Sequence, residues 1–131
     1  MVDSNILLDV ITGDTAWAPW SSTALAKVAT DAALVINPLV YAEVSIRYDS
    51  IEELESALPQ TLLRREDLPF NAGFLAGKAY VAYRNRGGTR RSLLPDFLIG
   101  AHAAIAGYRI LTRDPRRYRS YFPTVELISP A

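Results

Sequence analysis

The sequence contains no cysteine and a single histidine, His102. The first absence excludes disulfides and thiolate metal sites. The second argues against zinc, whose protein sites are built largely from cysteine and imidazole. No apolar stretch approaches the length needed to cross a bilayer. The opening residues, Met1-Val2-Asp3-Ser4-Asn5, hold neither a basic segment nor a long apolar run, so no signal peptide is expected. There is no internal repeat and no low-complexity segment. A Gly-x-Ser-x-Gly elbow is also missing, which removes the usual partner of a catalytic histidine. These absences favour a cytoplasmic protein with no membrane association.

What remains is a globular composition. Half of the 131 residues are hydrophobic and they spread along the whole chain, which suits a single domain over 1–131 with one core. Net charge is zero, but its placement is uneven. Residues 1–60 carry nine acids and two bases, whereas residues 84–119 carry nine arginines and two acids. Arginine at that density suits phosphate contacts, because its planar fork matches phosphate oxygens. Taken alone, such a run reads first as solvated surface.

Short apolar runs alternate with helical patterns, the signature of a parallel α/β sheet. Residues 2–4 read as a short first strand. Apolar positions 6, 7, 10 and 11 predict a helix over 5–12, ended by Gly13. A second helix spans 17–31 and a buried strand 33–36. Pro38 starts a helix over 39–48, since proline suits a first turn. Residues 50–58 read as a short acidic helix and 61–65 as an edge strand. Asn71 is expected to cap a helix running to Gly87-Gly88. Residues 94–107 are apolar nearly all round and predict a central buried helix. A strand over 109–112, a helix over 115–121 and a strand over 125–128 complete the chain.

The acids fall at particular places on this map. Asp3 and Asp114 sit at the carboxyl ends of strands, where ligands bind in open parallel sheets. Glu43 lies one turn into the helix after the second strand, and Asp96 opens the buried helix. Each has an ordinary alternative. Asp3, Asp96 and Asp114 all precede a helix, where aspartate is a favoured cap. Glu43 could pair with Arg47 at i+4. Four coincidences at one sheet edge are harder to accept than one. Four carboxylates without histidine or thiolate specify a hard cation, magnesium or manganese, which can activate water against a phosphodiester. If they share a pocket, their like charges repel when no metal is bound. Asp96→Asn and Asp114→Asn are then expected to stabilise the metal-free protein.

The segments Val2-Asp3-Ser4-Asn5, Asn37-Pro38-Leu39-Val40-Tyr41-Ala42-Glu43, Leu94-Pro95-Asp96-Phe97-Leu98-Ile99-Gly100-Ala101-His102 and Leu111-Thr112-Arg113-Asp114 together resemble the PIN-domain family, and within it the VapC-type toxins of bacterial toxin–antitoxin pairs. The resemblance covers essentially the full chain. It implies a three-layer α/β/α domain with a central parallel sheet of order 3-2-1-4-5. It implies a metal-dependent endoribonuclease, with Mg2+ or Mn2+ bound chiefly by Asp3 and Asp96 and the pocket completed by Glu43 and Asp114. Ser4, Asn5 and Thr112 look like the family's supporting polar residues. RNA would be the substrate, a cognate antitoxin protein and a second copy of the chain the partners. Usually the first strand has more apolar residues before its aspartate than the Met1 and Val2 found here.

Arg86, Arg90, Arg91, Arg113, Arg116 and Arg117 are the candidates to guide an RNA backbone. His102 lies six positions after Asp96, about 120° around a helix from it, and reads as structural. Trp17 and Trp20 read first as core anchors and, by the resemblance, as part of an antitoxin groove. Tyr80, Val81 and Tyr83 carry the same ambiguity. Two other functions compete. One is a PIN-fold binding module without catalysis, which the intact acid set opposes. The other is a phosphatase of the haloacid-dehalogenase type, which wants a second aspartate where this chain has Asn5.

Overall fold

The computed structural model describes residues 1–89 and 94–130. It is an α/β domain whose strands are short and parallel. Helix α1 (Ser4–Thr12) and helix α2 (Ala18–Ala29) precede strand β1 (Leu34–Ile36). Helices α3 (Pro38–Ser45) and α4 (Ile51–Ala57), strand β2 (Leu63–Arg65) and helix α5 (Phe70–Asn85) follow. The buried helix α6 (Leu94–Ala106), strand β3 (Ile110–Leu111), helix α7 (Arg116–Tyr121) and strand β4 (Leu127–Ile128) close the chain.

Strand β1 pairs with β2, and β3 pairs with β4. The first residues lie between these pairs rather than forming a strand over 2–4. Val2 N–H donates to the Val35 carbonyl and Asp3 N–H to the Leu111 carbonyl, both at 2.9 Å. Leu111 N–H returns a bond to the Met1 carbonyl. Only Val2 bridges to Leu111 in the ladder sense, because Ser4 already begins α1. The aspartate at position 3 is thereby held between the carboxyl ends of β1 and β3.

The core is built from Ile6, Ile36, Val40, Val44, Leu58, Phe97, Ile99 and Ile110, none of which touches solvent. Phe97 is its aromatic centre. Its ring lies 5.4 Å from Tyr121, 5.7 Å from Tyr83, 6.1 Å from Tyr80 and 6.3 Å from Phe122, distances at which aromatic pairs attract beyond their burial. Helix α6 packs close enough that a methyl group at Gly100 would meet the buried Phe122 ring at 2.4 Å. Among the described residues no helix is long and apolar enough to cross a membrane.

Two local expectations are corrected. Asn71 is exposed inside α5, and Pro69 occupies the cap position. The end of α5 is as expected, with Gly87 at φ 88° donating to Arg84. In α1 the periodicity places Val10 inward and leaves Asp9 unremarked, whereas Val10 is 39% exposed and Asp9 is buried. The reason is polar compensation: Ser21 and Arg113 both bond to the Asp9 carboxylate, which makes its burial tolerable.

Candidate metal centre

Asp3, Ser4, Asn5, Glu43, Asp96, Asp114, Arg117 and Tyr118 line one cleft of about 190 Å³. All four acids singled out from the sequence therefore face a common space. Two roomier hollows lie elsewhere: one of about 390 Å³ beside Trp20, Ala24, Val28 and Ile128, and one of about 300 Å³ beside Tyr41 and Arg65. Neither gathers more than two carboxylates, so the smaller cleft is the candidate site.

Asp3 forms the floor. Its Oδ2 accepts from Thr112 Oγ1 and Tyr118 Oη, each at 2.9 Å, and from Asn5 Nδ2 at 3.4 Å. Three donors on one oxygen fix the carboxylate and leave Oδ1, touched by the Ser4 hydroxyl at 3.5 Å, to face the cleft. Burial raises the Asp3 pKa, and the hydroxyl donors oppose that rise. Asn5 also donates to Thr112 Oγ1 and accepts from Arg113 N–H. Thr112 Oγ1 accepts the Asp114 N–H at 3.1 Å, which turns the chain after β3 toward the cleft.

Glu43 does not pair with Arg47. Its Oε1 accepts from Ser4 Oγ at 3.1 Å. Its pKa is raised first by burial and then by the charges of Asp3 and Asp96, while the Ser4 bond opposes both. Asp3 stands at the cap position of α1 but makes no side-chain capping bond. The cap position of α7 is Pro115 rather than Asp114, although the Asp114 carboxylate still meets the Arg116 amide. Asp96 sits in the first turn of α6, where Arg117 Nη1 donates to its Oδ2 at 3.2 Å. Arg116 Nε donates to Asp114 Oδ1 at 3.2 Å and lowers the Asp114 pKa.

Those two arginines correct the expected effect of removing a charge. Asp96 and Asp114 already have cationic partners, and repulsion among the acids is felt by Glu43, from Asp3 and Asp96. They also bear on whether a cation fits. The donor set is all oxygen, as magnesium and manganese prefer, and one oxygen of Asp3 is left for it. Among the described residues, however, no three acidic or imidazole groups stand gathered about one point as a ready-made metal cage. The donor chemistry fits a hard cation, with Arg116 and Arg117 occupying two of the carboxylates.

The remaining candidates are mostly engaged inside the fold. Arg113 pairs with the buried Asp9 at 2.9 Å, and its guanidinium lies 5.5 Å from the centre of the Trp17 ring. Arg86 stacks over Tyr121 at 5.0 Å. Arg90 and Arg91 lie outside the described residues. Trp17 and Trp20 meet edge to face at 6.4 Å and are half-buried. His102 is buried and structural. Asn37 Oδ1 accepts the Leu39 and Val40 amides, so its Nδ2 faces His102 Nδ1 at 3.1 Å and must donate to it.

One residue of the cleft, Tyr118, is not singled out by the sequence analysis. The spacing Asp114-Pro115-Arg116-Arg117-Tyr118 offered the one available signal, since a helix starting just after a cleft residue returns its first turn to that cleft.

Fold and cleft together define a class: a parallel α/β domain with an all-oxygen acidic site at the carboxyl ends of its strands. The family can be stated more narrowly. Residues 1–122 match the model of the PIN domain, and the chain belongs to that family, a family of nucleases. A comparison with curated protein sequences found no match. Among solved structures the chain is similar to VapBC2 from Rickettsia felis bound to a DNA fragment from their promoter, with TM-score 0.75, 20% identity, and 100% of this chain and 98% of that one covered. It is similar to VapBC-1 from nontypeable Haemophilus influenzae, with TM-score 0.75, 15% identity, and 98% and 96% covered. DNA-bound VapBC from Salmonella typhimurium gives TM-score 0.70 and 16% identity, again with 98% and 96% covered.

Proposed function

We propose that the chain is a magnesium-dependent endoribonuclease, the toxin of a toxin–antitoxin pair. The observation that carries this is the single cleft lined by Asp3, Glu43, Asp96 and Asp114. Asp3 Oδ1 and the Asp96 carboxylate are the principal ligands in this reading, and Glu43 and Asp114 complete the pocket. A bound divalent cation would lower the pKa of a coordinated water and stabilise the leaving oxygen of a phosphodiester. Manganese would serve in its place. The chain's own residues do the rest. Thr112, Tyr118 and Asn5 hold Asp3 in one orientation. Ser4 ties Glu43 to the same floor, and the raised pKa of Glu43 suits it to take a proton from an attacking water. The arginines after Asp114 supply positive charge at the rim.

The toxin assignment rests on the likeness to VapBC complexes, in which the fold is found with a partner. The hollow beside Trp20, lined by Ala24, Val28 and Ile128, offers an antitoxin an apolar seat. Phe70, Phe74 and Val81 are 101%, 72% and 52% exposed along one side of α5, a face suited to a second copy of the chain. With magnesium, the purified protein is expected to release oligonucleotides from RNA. Release of inorganic phosphate from small esters, with RNA left whole, would instead mark a phosphatase.

A further inference from the structure

Three consecutive residues of α7 each hold a different carboxylate of the cleft. Arg116 holds Asp114, Arg117 holds Asp96 and Tyr118 holds Asp3. The three contacts differ in kind. The Tyr118 hydroxyl is buried and uncharged, and it braces Asp3 from behind. Arg116 is 84% exposed on its side chain, so water competes for its pair. Of the three, Arg117 is the one that brings a full positive charge into the wall of the cleft. Its side chain and that of Asp96 are 27% and 31% exposed, and its charge also reaches Asp114.

We propose that Arg117 is an exchangeable counter-ion of the metal site, which neutralises Asp96 while no divalent cation is bound, yields that carboxylate when one enters, and then offers its guanidinium to a phosphate of the nucleic acid. The inference rests on the metal-site reading above. A divalent cation drawn to the Asp96 carboxylate would lie beside the guanidinium on Oδ2, and the two positive groups repel. A guanidinium displaced from a carboxylate keeps its fork and its charge, and phosphate oxygens match both. The cleft then prefers an order, cation first and nucleic acid second. Arginine was the suitable residue, because it stays charged whether or not Asp96 is shared.

The consequence is a pair of effects with opposite signs. Removing Arg117 takes away a competitor for Asp96, so the cation binds more tightly. It also takes away a phosphate contact, so the nucleic acid binds more weakly. A merely structural arginine would weaken both. The test is manganese binding to the full-length chain without RNA, read by electron paramagnetic resonance. Beside it runs the binding of a phosphorothioate oligoribonucleotide, read by fluorescence anisotropy. Arg117→Gln is expected to bind manganese about two- to fivefold more tightly, in keeping with the modest strength of a partly exposed ion pair, and the oligonucleotide more weakly. Arg117→Lys keeps the charge and should stay near wild type for manganese. If the glutamine variant does not fold, Arg117→Met, which keeps an aliphatic stem, carries the same expectation. Unchanged or weaker manganese binding by the uncharged variant, with wild type binding normally, overturns the exchange alone. No saturable manganese binding by wild type overturns the metal site itself, and the exchange with it.

Discussion

Burial raises the pKa of Asp3 and of Glu43, whereas Arg116 holds that of Asp114 down. One cleft therefore contains acids that gain and acids that lose from being ionised without metal. Glu43→Gln keeps an oxygen for the Ser4 hydroxyl and removes a charge that Asp3 and Asp96 oppose. It is expected to raise the melting temperature in EDTA at neutral pH, by an amount equivalent to about 0.5–1 kcal/mol. Asp114→Asn loses its bond to an exposed arginine and gains nothing comparable, so it should melt at or below wild type. Thermal melts of both variants decide this, and a higher melting temperature for Asp114→Asn would show that Arg116 does not neutralise it. His102 carries a second prediction at this scale. Burial lowers its pKa below the ordinary 6.5, so the folded protein binds fewer protons there than the unfolded chain. Its contribution is thus present above pH 6.5 and lost as pH falls through the lowered value. Denaturation by urea at a series of pH values should show stability declining as pH falls below 6.5. His102→Asn, whose oxygen can still face the Asn37 amide, should remove that part of the decline whatever its absolute stability. An identical slope in the variant would assign the proton uptake elsewhere.

At the scale of elements, the helices could be read from periodicity and punctuation, because α1, α3 and α6 follow an apolar stripe or an apolar surround, α3 opens on Pro38, and α1 and α6 stop at Gly13 and Gly107. Strand lengths could not. Strands β3 and β4 span two residues each, and the apolar residues beside them pack without joining a ladder. The four acids were legible because each stands at a strand end or in a first helical turn. Of the residues that hold them, Ser4, Asn5 and Thr112 stand in the segments that carry the family resemblance, whereas Tyr118 acts across the fold and leaves no local period, as do Ser21 and Arg113 on Asp9. Arg113 shows the difference. The sequence offers it as one more basic residue near Asp114, yet it anchors α1 and α2 to the segment after β3 through Asp9, whose side chain is 3% exposed. Arg113→Ala leaves that carboxylate with Ser21 alone and is expected to cost about 2–3 kcal/mol, below the range for a fully buried pair because Arg113 is one-third exposed. Asp9→Ala in the same background should recover part of the loss. Urea denaturation measures both, and an unchanged midpoint for Arg113→Ala would return that arginine to the surface.

For the molecule as a whole, opposite charges sit in different parts of the sequence but meet at one cleft. The acidic first half supplies Asp3 and Glu43, and the arginine-rich segment supplies Asp96, Asp114 and the guanidinium groups that hold them. The exposed Phe70, Phe74 and Val81 face outward from α5, and analytical ultracentrifugation at micromolar concentration is expected to give the mass of a dimer that Phe74→Glu reduces to a monomer. A strictly monomeric wild type would remove the second copy from that face. The proposed metal site is tested most directly by cleavage of RNA under control of the cation. Wild-type protein should cut with magnesium, stop when EDTA removes it and resume when magnesium or manganese is restored. Asp96→Asn, verified as folded by circular dichroism, should stay inactive throughout. Cutting at the same rate in EDTA as in magnesium would contradict a cation held by Asp3, Glu43, Asp96 and Asp114.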